Sequence, residues 1–212
     1  MKVLVIGGSS GLGRATIDAL NDDHYVINAA PSSIDSVENI ALDLTSNKSI
    51  NDFLSFVLEE HPDLGCVIHS AGLYQSDESL NIGFEEIDKI FLVNTTGVMK
   101  ITNKLLPILE QNKGLLLVVG SVNVRKRNHL VYTPSKCALQ AYVEYLQAVY
   151  REKDVRITIL NPGLMNTQLF EHAGATRDKS DSMNPADVAR VIRQVVDNTS
   201  VEFSEIVVQP KK

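Results

Sequence analysis

Clustered cysteine is missing from this 212-residue chain: Cys66 and Cys137 are its only two, far apart and outside any CxxC spacing. That excludes a disulfide framework and a zinc signature, and no metal is expected. Cys66, inside an apolar run, reads as a small core residue. Basic blocks are also missing, apart from "RKR" at 125–127 and the terminal "KK". With a net charge of −6, nucleic-acid binding is not expected, because phosphate neutralisation needs clustered Lys and Arg. Arg125, Lys126 and Arg127 read as a solvated loop. Long apolar runs are absent too. The longest, "LLLVV" at 115–119, is far too short to span a bilayer, and "MKVLVIGG" has too short an apolar stretch for a signal peptide. A cytoplasmic protein with no membrane partner is the expectation.

What is present is ordinary for a globular chain: 44% hydrophobic and 22% charged residues, in a length that suits one domain over 1–212. Short apolar runs alternate with segments of helical period. Strands are expected at 3–6, 25–28, 40–42, 66–69, 115–119, 155–160 and 206–208. Several are apolar throughout, which suits a sheet buried on both faces. Helices are expected at 12–21, 46–60, 84–111, 134–152 and 185–198. Thr45 and Asn184 are candidate N-caps and Pro185 fits the first helical position. Pro107 is expected to end or kink the long helix. The alternation predicts an α/β fold: a Rossmann-type, doubly wound parallel sheet of about seven strands with helices on both faces. Between the second and third strands there is room only for a loop or one helical turn.

Near the start, "VLVIGGSSGLGRATIDAL" breaks a strand pattern with glycines and resumes as a helix. Gly7 permits a sharp turn, Gly11 lets backbone N–H groups approach a diphosphate, and Gly13 lets helix and strand pack closely. The helix N-terminus adds partial positive charge, and Ser9 and Ser10 add hydroxyls. Taken alone, a plain tight turn explains the stretch as well. Downstream, "YTPSKCALQAYVEYL" places Tyr132 and Lys136 four apart, on one face of a helix head. An ammonium near a phenol favours phenolate and lowers its pKa from about 10, which equips Tyr132 for acid–base work on an alcohol or carbonyl. "LLLVVGSV" ends a strand with Ser121, and strand carboxyl ends line the ligand crevice of such a sheet.

These motifs, in this order, resemble those of the short-chain dehydrogenase/reductase family over essentially the whole chain. The family loop TGxxxGxG reads "IGGSSGLG" here, with Ile6 in place of Thr; "HSAG" at 69–72 resembles NNAG, with Ser70 in place of Asn. "DL" at 43–44, "FLVNTTG" at 91–97, "NPGLMNT" at 161–167 and "NPADVA" at 184–189 match further family segments. The resemblance implies hydride transfer between NAD(P)(H) and a small carbonyl or alcohol. Tyr132 would be the proton donor or acceptor. Lys136 would hold the nicotinamide ribose and favour the phenolate, Ser121 would bind the substrate oxygen, and Asn94 would join Lys136 to solvent through water. Cofactor contacts would come from Gly7, Ser9, Ser10, Gly11, Leu12 and Gly13, from Asp43 and Leu44 at the adenine, and from Ser70, Ala71 and Gly72. Asn94, Tyr132, Lys136, Pro162, Gly163, Met165 and Thr167 would serve the nicotinamide half.

No acid follows the second strand until Asp35, and no Arg or Lys stands there either. Ser32 and Ser33 can bond a phosphate, so NADP(H) is favoured over NAD(H). Substrate loops are expected at 73–82, 122–131 and 164–183, with His129 and His172 as ordinary polar loop residues. The resemblance also implies a homodimer or homotetramer through the helices at 84–111 and 134–152. Two other readings stay open: a non-catalytic NADP(H)-binding sensor, and a nucleotide-sugar epimerase or dehydratase of the extended branch. That branch has a different glycine spacing and a larger C-terminal part, and the Asn94, Ser121, Tyr132 and Lys136 set argues against a sensor.

Overall fold

All seven expected strands form, and they pair in parallel in the order β3-β2-β1-β4-β5-β6-β7. The computed structural model describes residues 1–75, 82–126, 128–171, 174 and 180–211. The strands are β1 (Lys2–Ile6), β2 (Tyr25–Ala30), β3 (Glu38–Ala41), β4 (Leu64–His69), β5 (Leu115–Val119), β6 (Arg156–Pro162) and β7 (Glu205–Val208). The central strands β4 and β5 are buried at every residue, which explains their unbroken apolar sequence: both faces of the sheet are covered. On one face, β-strand side chains such as Leu4 and Val67 pack with Phe53, Leu105 and Val143. On the other, Val5 and Ile68 pack with Ile17, Ile192 and Val196. The architecture is the expected Rossmann-type three-layer α/β/α sheet.

The helices are α1 (Gly11–Leu20), α2 (Asn47–Glu60), α3 (Phe84–Phe91), α4 (Gly97–Gln111), α5 (Asn123–Lys126), α6 (Tyr132–Val149) and α7 (Pro185–Asp197). Between β2 and β3 only bends and turns occur, as the short crossover required. Asn184 caps α7 by accepting from Ala186 N–H, with Pro185 at the first turn. Two expectations are corrected. The cap of α2 is Ser46, whose hydroxyl accepts from Ser49 N–H, while Thr45 instead bonds Asp43. The segment 84–111 is not one regular helix, because a π turn at Leu92–Thr96 separates α3 from α4. Pro107 does not end α4, which continues to Gln111; Pro107 is on the exposed side, where water can serve the carbonyl left without a donor. Among the described residues, no helix is long and apolar enough to cross a membrane.

In a doubly wound sheet, the strand order reverses where two crossovers diverge, and a crevice opens at the carboxyl ends there. Here that point lies between β1 and β4, and a cleft of about 610 Å³ opens at those ends.

Candidate active site

The glycine turn forms the floor of the cleft at the β1 end. Ile6 O accepts from both Ser70 N–H and Ala71 N–H at 2.9 Å, so the "HSAG" turn lies directly on the glycine loop. Gly7 has φ +86°, and a Cβ there would come within 2.5 Å of Ala71 N. At Gly13 a Cβ would sit 2.0 Å from Gly7 O. Neither position admits a side chain, so turn, helix and strand pack backbone to backbone. Ser10 begins α1 in extended conformation without a side-chain cap bond, and the first turn has no acid. Gly7, Ser9, Ser10, Gly11, Leu12 and Gly13 line the cleft, as do Asp43, Leu44, Ser70, Ala71 and Gly72. Asp43 accepts from Thr45 N–H at 2.8 Å and Thr45 Oγ1 at 2.7 Å; the hydroxyl bond above all holds its carboxyl below the usual range. Ser32 is not brought to the cleft wall. It is exposed, its carbonyl accepts from Asn28 Nδ2 at 3.2 Å, and Pro31 lines the cleft instead.

At the other end, Ser121 after β5, Tyr132 and Lys136 at the head of α6, Pro162 at the end of β6, and Gly163, Met165 and Thr167 beyond it meet across the cleft. Ser121 and Tyr132 both line this end, and the Ser121 side chain acts on the Tyr132 phenol to lower its pKa. Lys136 Nζ donates to Val119 O at 3.0 Å and lies 6.0 Å from the Tyr132 ring centre. The expected lowering of the Tyr132 pKa is corrected. Burial raises it, outweighing the opposing effect of Ser121, and the neighbouring Tyr74 raises it further. Burial likewise pushes the Lys136 ammonium down to about 8. Dehydration of the site is the larger effect on both groups, because each is almost wholly enclosed.

Asn94 lies behind the cleft wall, fully buried. Its Oδ1 accepts from Leu73 N–H at 2.7 Å, and its Nδ2 donates to Leu73 O at 2.9 Å and Ser135 Oγ at 3.0 Å. The π turn that carries it adds a residue to the helical circuit, a device common at functional sites. Asn94 thereby ties the strand end after β4 to the head of α6.

The model of the short chain dehydrogenase family matches residues 1–178 of this sequence. The chain belongs to the short-chain dehydrogenase family. An uncharacterized oxidoreductase of Staphylococcus aureus is 24% identical over 223 residues, spanning 98% of this chain and 96% of its own. One from Staphylococcus epidermidis is 25% identical over 225 residues, with 99% and 97% covered. Among solved structures, an alcohol dehydrogenase from the archaeon Thermococcus sibiricus, complexed with 5-hydroxy-NADP, has a TM-score of 0.86 at 25% identity. The match covers 99% of this chain and 96% of that one. A short-chain dehydrogenase from Sphingobium yanoikuyae in complex with NADPH shares the fold, with a TM-score of 0.86 at 19% identity and 97% and 87% covered.

The family's pattern does not account for every residue at the site. His129, read as an ordinary loop residue, packs its ring 6.1 Å from Tyr132 and 5.2 Å from Tyr74, whose ring also meets Phe170 at 4.7 Å. Each expected substrate loop thus sends one ring to the neighbourhood of Tyr132. His172 and Arg127 lie outside the described residues, as do parts of the first and third loops. Lys126 lines the cleft rather than facing only solvent, while Arg125 pairs with Glu205 at 2.8 Å. Lys89 also lines the cleft, near Asp43. Asn161, quoted only within "NPGLMNT", was given no role. Its signal was an amide directly after the run "ITIL" at the end of a buried strand, since a buried polar group is costly unless bonded.

Proposed function

We propose that this chain is an NAD(P)(H)-dependent oxidoreductase acting on a small carbonyl or alcohol, with Tyr132 as proton donor and acceptor. The observation that carries the reading is the convergence of Ser121 and Tyr132, both buried and both lining the cleft end beside Lys136. The opposite end suits a dinucleotide: a side-chain-free cradle at Gly7 and Gly13, an uncapped helix start at Ser10, and Asp43 with Leu44 at the far wall. Gly11, at φ +53° with the Thr167 methyl 3.4 Å from its Cβ position, stands between the two ends. A nicotinamide dinucleotide bound there supplies or accepts the hydride. Ser121 donates to the substrate oxygen and stabilises charge developing on it. Tyr132, kept neutral by burial, gives that oxygen its proton in reduction and takes it back in oxidation. Lys136 holds its charge at neutral pH and can hold a ribose hydroxyl while anchored on Val119 O. Asn94 fixes the backbone at Leu73 against α6, rather than touching the reacting atoms.

For the cofactor, we favour NADP(H). The wall formed by Ala30, Pro31 and Leu42 carries no acid to repel a 2′-phosphate, and Lys89 stands near Asp43. Fluorescence titration with NADPH and NADH tests this, and tighter NADH binding overturns it. Turnover is tested with benzaldehyde, cyclohexanone, ethyl acetoacetate and menadione, each with NADPH and NADH, at the nicotinamide absorbance. Tyr132→Phe is expected to abolish reduction while leaving NADPH affinity within about threefold, because it removes only the transferable proton. A fully active Tyr132→Phe enzyme refutes the mechanism. Flat traces throughout, with NADPH still bound, favour the sensor reading.

A further inference from the structure

Directly behind Ser121 stands a buried hydrogen-bond network centred on Asn161. This residue, on β6, is 1% exposed. Its Oδ1 accepts from Ser121 N–H at 2.8 Å, and its Nδ2 donates to Gln140 Oε1 at 3.0 Å and to Glu205 Oε1 at 2.8 Å. A donor on one side and two acceptors on the other leave the amide a single orientation, since a flipped amide would oppose donor to donor and acceptor to acceptor. Space for it comes from Gly120, where a Cβ would lie 2.1 Å from Asn161 Oδ1. Glu205 on β7 is held in turn by Arg125 of α5 at 2.8 Å, and Gln140 lies on α6, one turn beyond Lys136. One side chain therefore ties the end of β5 to α6 and β7, and through Glu205 to α5; α5 and α6 both carry cleft-lining residues.

The other end of Ser121 is held too: its Oγ accepts from Asn123 N–H at 3.2 Å, on the cleft wall that Tyr132 also lines. With the peptide N–H pinned by Asn161, the hydroxyl has little freedom to turn away. A valine or isoleucine at 161 would suit the apolar strand, but would leave the buried Ser121 N–H unpaired and the peptide free to rotate. We infer that Asn161 is a positioning residue that aims the Ser121 hydroxyl through its peptide group. The inference rests on the reading of Ser121 as the group that binds the substrate oxygen. An error of about 1 Å in such a donor is enough to cost on the order of a hundredfold in rate.

The test uses the carbonyl probe turned over fastest above, with NADPH. Asn161→Asp keeps an acceptor for Ser121 N–H but turns a carboxylate oxygen towards Glu205 and Gln140, so repulsion shifts the network. It is expected to lower kcat by about tenfold to a hundredfold with NADPH affinity unchanged. Asn161→Asp/Glu205→Gln restores a donor facing the carboxylate, and is expected to recover kcat to within about threefold of the parent. In a Ser121→Ala background, Asn161→Asp should add little further loss, because the group it aims is gone. Parental kcat in Asn161→Asp, or an equal loss with and without the Ser121 hydroxyl, overturns the inference. If Asn161→Asp does not fold, the double variant carries the test, and a folded double variant as slow as Ser121→Ala overturns it. Hydrogen exchange at the Ser121 amide needs no variant: protection like that of the β5 amides is expected, and fast exchange overturns the inference. If the parent reduces none of the probes, it is the proposed function that fails, while amide exchange still reads the Asn161 bond.

Discussion

Lys136 and Tyr132 show how one buried spot sets two proton affinities in opposite directions. Burial disfavours charge on both, so the ammonium drops to about 8 and the phenol rises. On the proposed mechanism both groups act in their protonated forms in the reducing direction, so kcat is expected to fall as pH rises through about 8. A kcat profile flat to about pH 10, where a free phenol titrates, would show that the Lys136 charge is not needed. The same burial has a stability cost. Between the folded value near 8 and the unfolded 10.5, the unfolded chain binds more protons, so stability rises with pH across that window. Below pH 8 the cost is fully present. Lys136→Met removes it, and loses the bond to Val119 O, for a net gain of about 2 kcal/mol at pH 7. Urea titration checks this; a destabilised Lys136→Met protein contradicts it. The spacing of Tyr132 and Lys136 was legible in the sequence. The sign of the Tyr132 shift was not, because it depends on how completely α6, Ser121 and Tyr74 enclose the ring.

Turns and caps were legible where their chemistry is local. The glycine turn is the clearest case, since backbone contact at Gly7 and Gly13 excludes any side chain. Gly13→Ala would drive a Cβ into Gly7 O, and is expected to abolish NADPH binding and lower the unfolding midpoint by several degrees, equivalent to about 1–3 kcal/mol of overpacking. Unchanged NADPH titration and melting of Gly13→Ala would refute that close packing. Where elements answer to distant partners, the sequence was a poorer guide. Thr45 and Ser46 are both chemically able caps, and the choice went to Ser46 because Thr45 is engaged by Asp43. The π turn at Leu92–Thr96 left no mark in the hydrophobic period. It is stabilised by what Asn94 reaches, the Leu73 backbone and Ser135, 21 and 41 residues away. Asn161 was unread for the same reason, its partners lying on β7, α6 and the end of β5.

At the scale of the whole molecule, α6 carries exposed apolar side chains, with Tyr145 at 63% and Val149 at 52%. A second copy is the natural cover for them, and we propose assembly as a homodimer or homotetramer through α4 and α6. Light scattering should give two or four times the chain mass of 23.3 kDa, and Tyr145→Asp/Val149→Asp should give the monomer. A monomeric parent protein refutes the proposal. By itself, the sequence determined the alternation of seven apolar strands with amphipathic helices, the parallel sheet they form and the family's motifs, because hydrophobic period and glycine spacing act over a few residues. Only the tertiary structure decided which groups stand together: Ser121 against Tyr132, Asn94 behind the wall, Ser32 away from it, and Asn161 between four elements. Those outcomes rest on burial and on hydrogen bonds between residues far apart in the chain, and both come into being only when the sheet closes its order around β1 and β4.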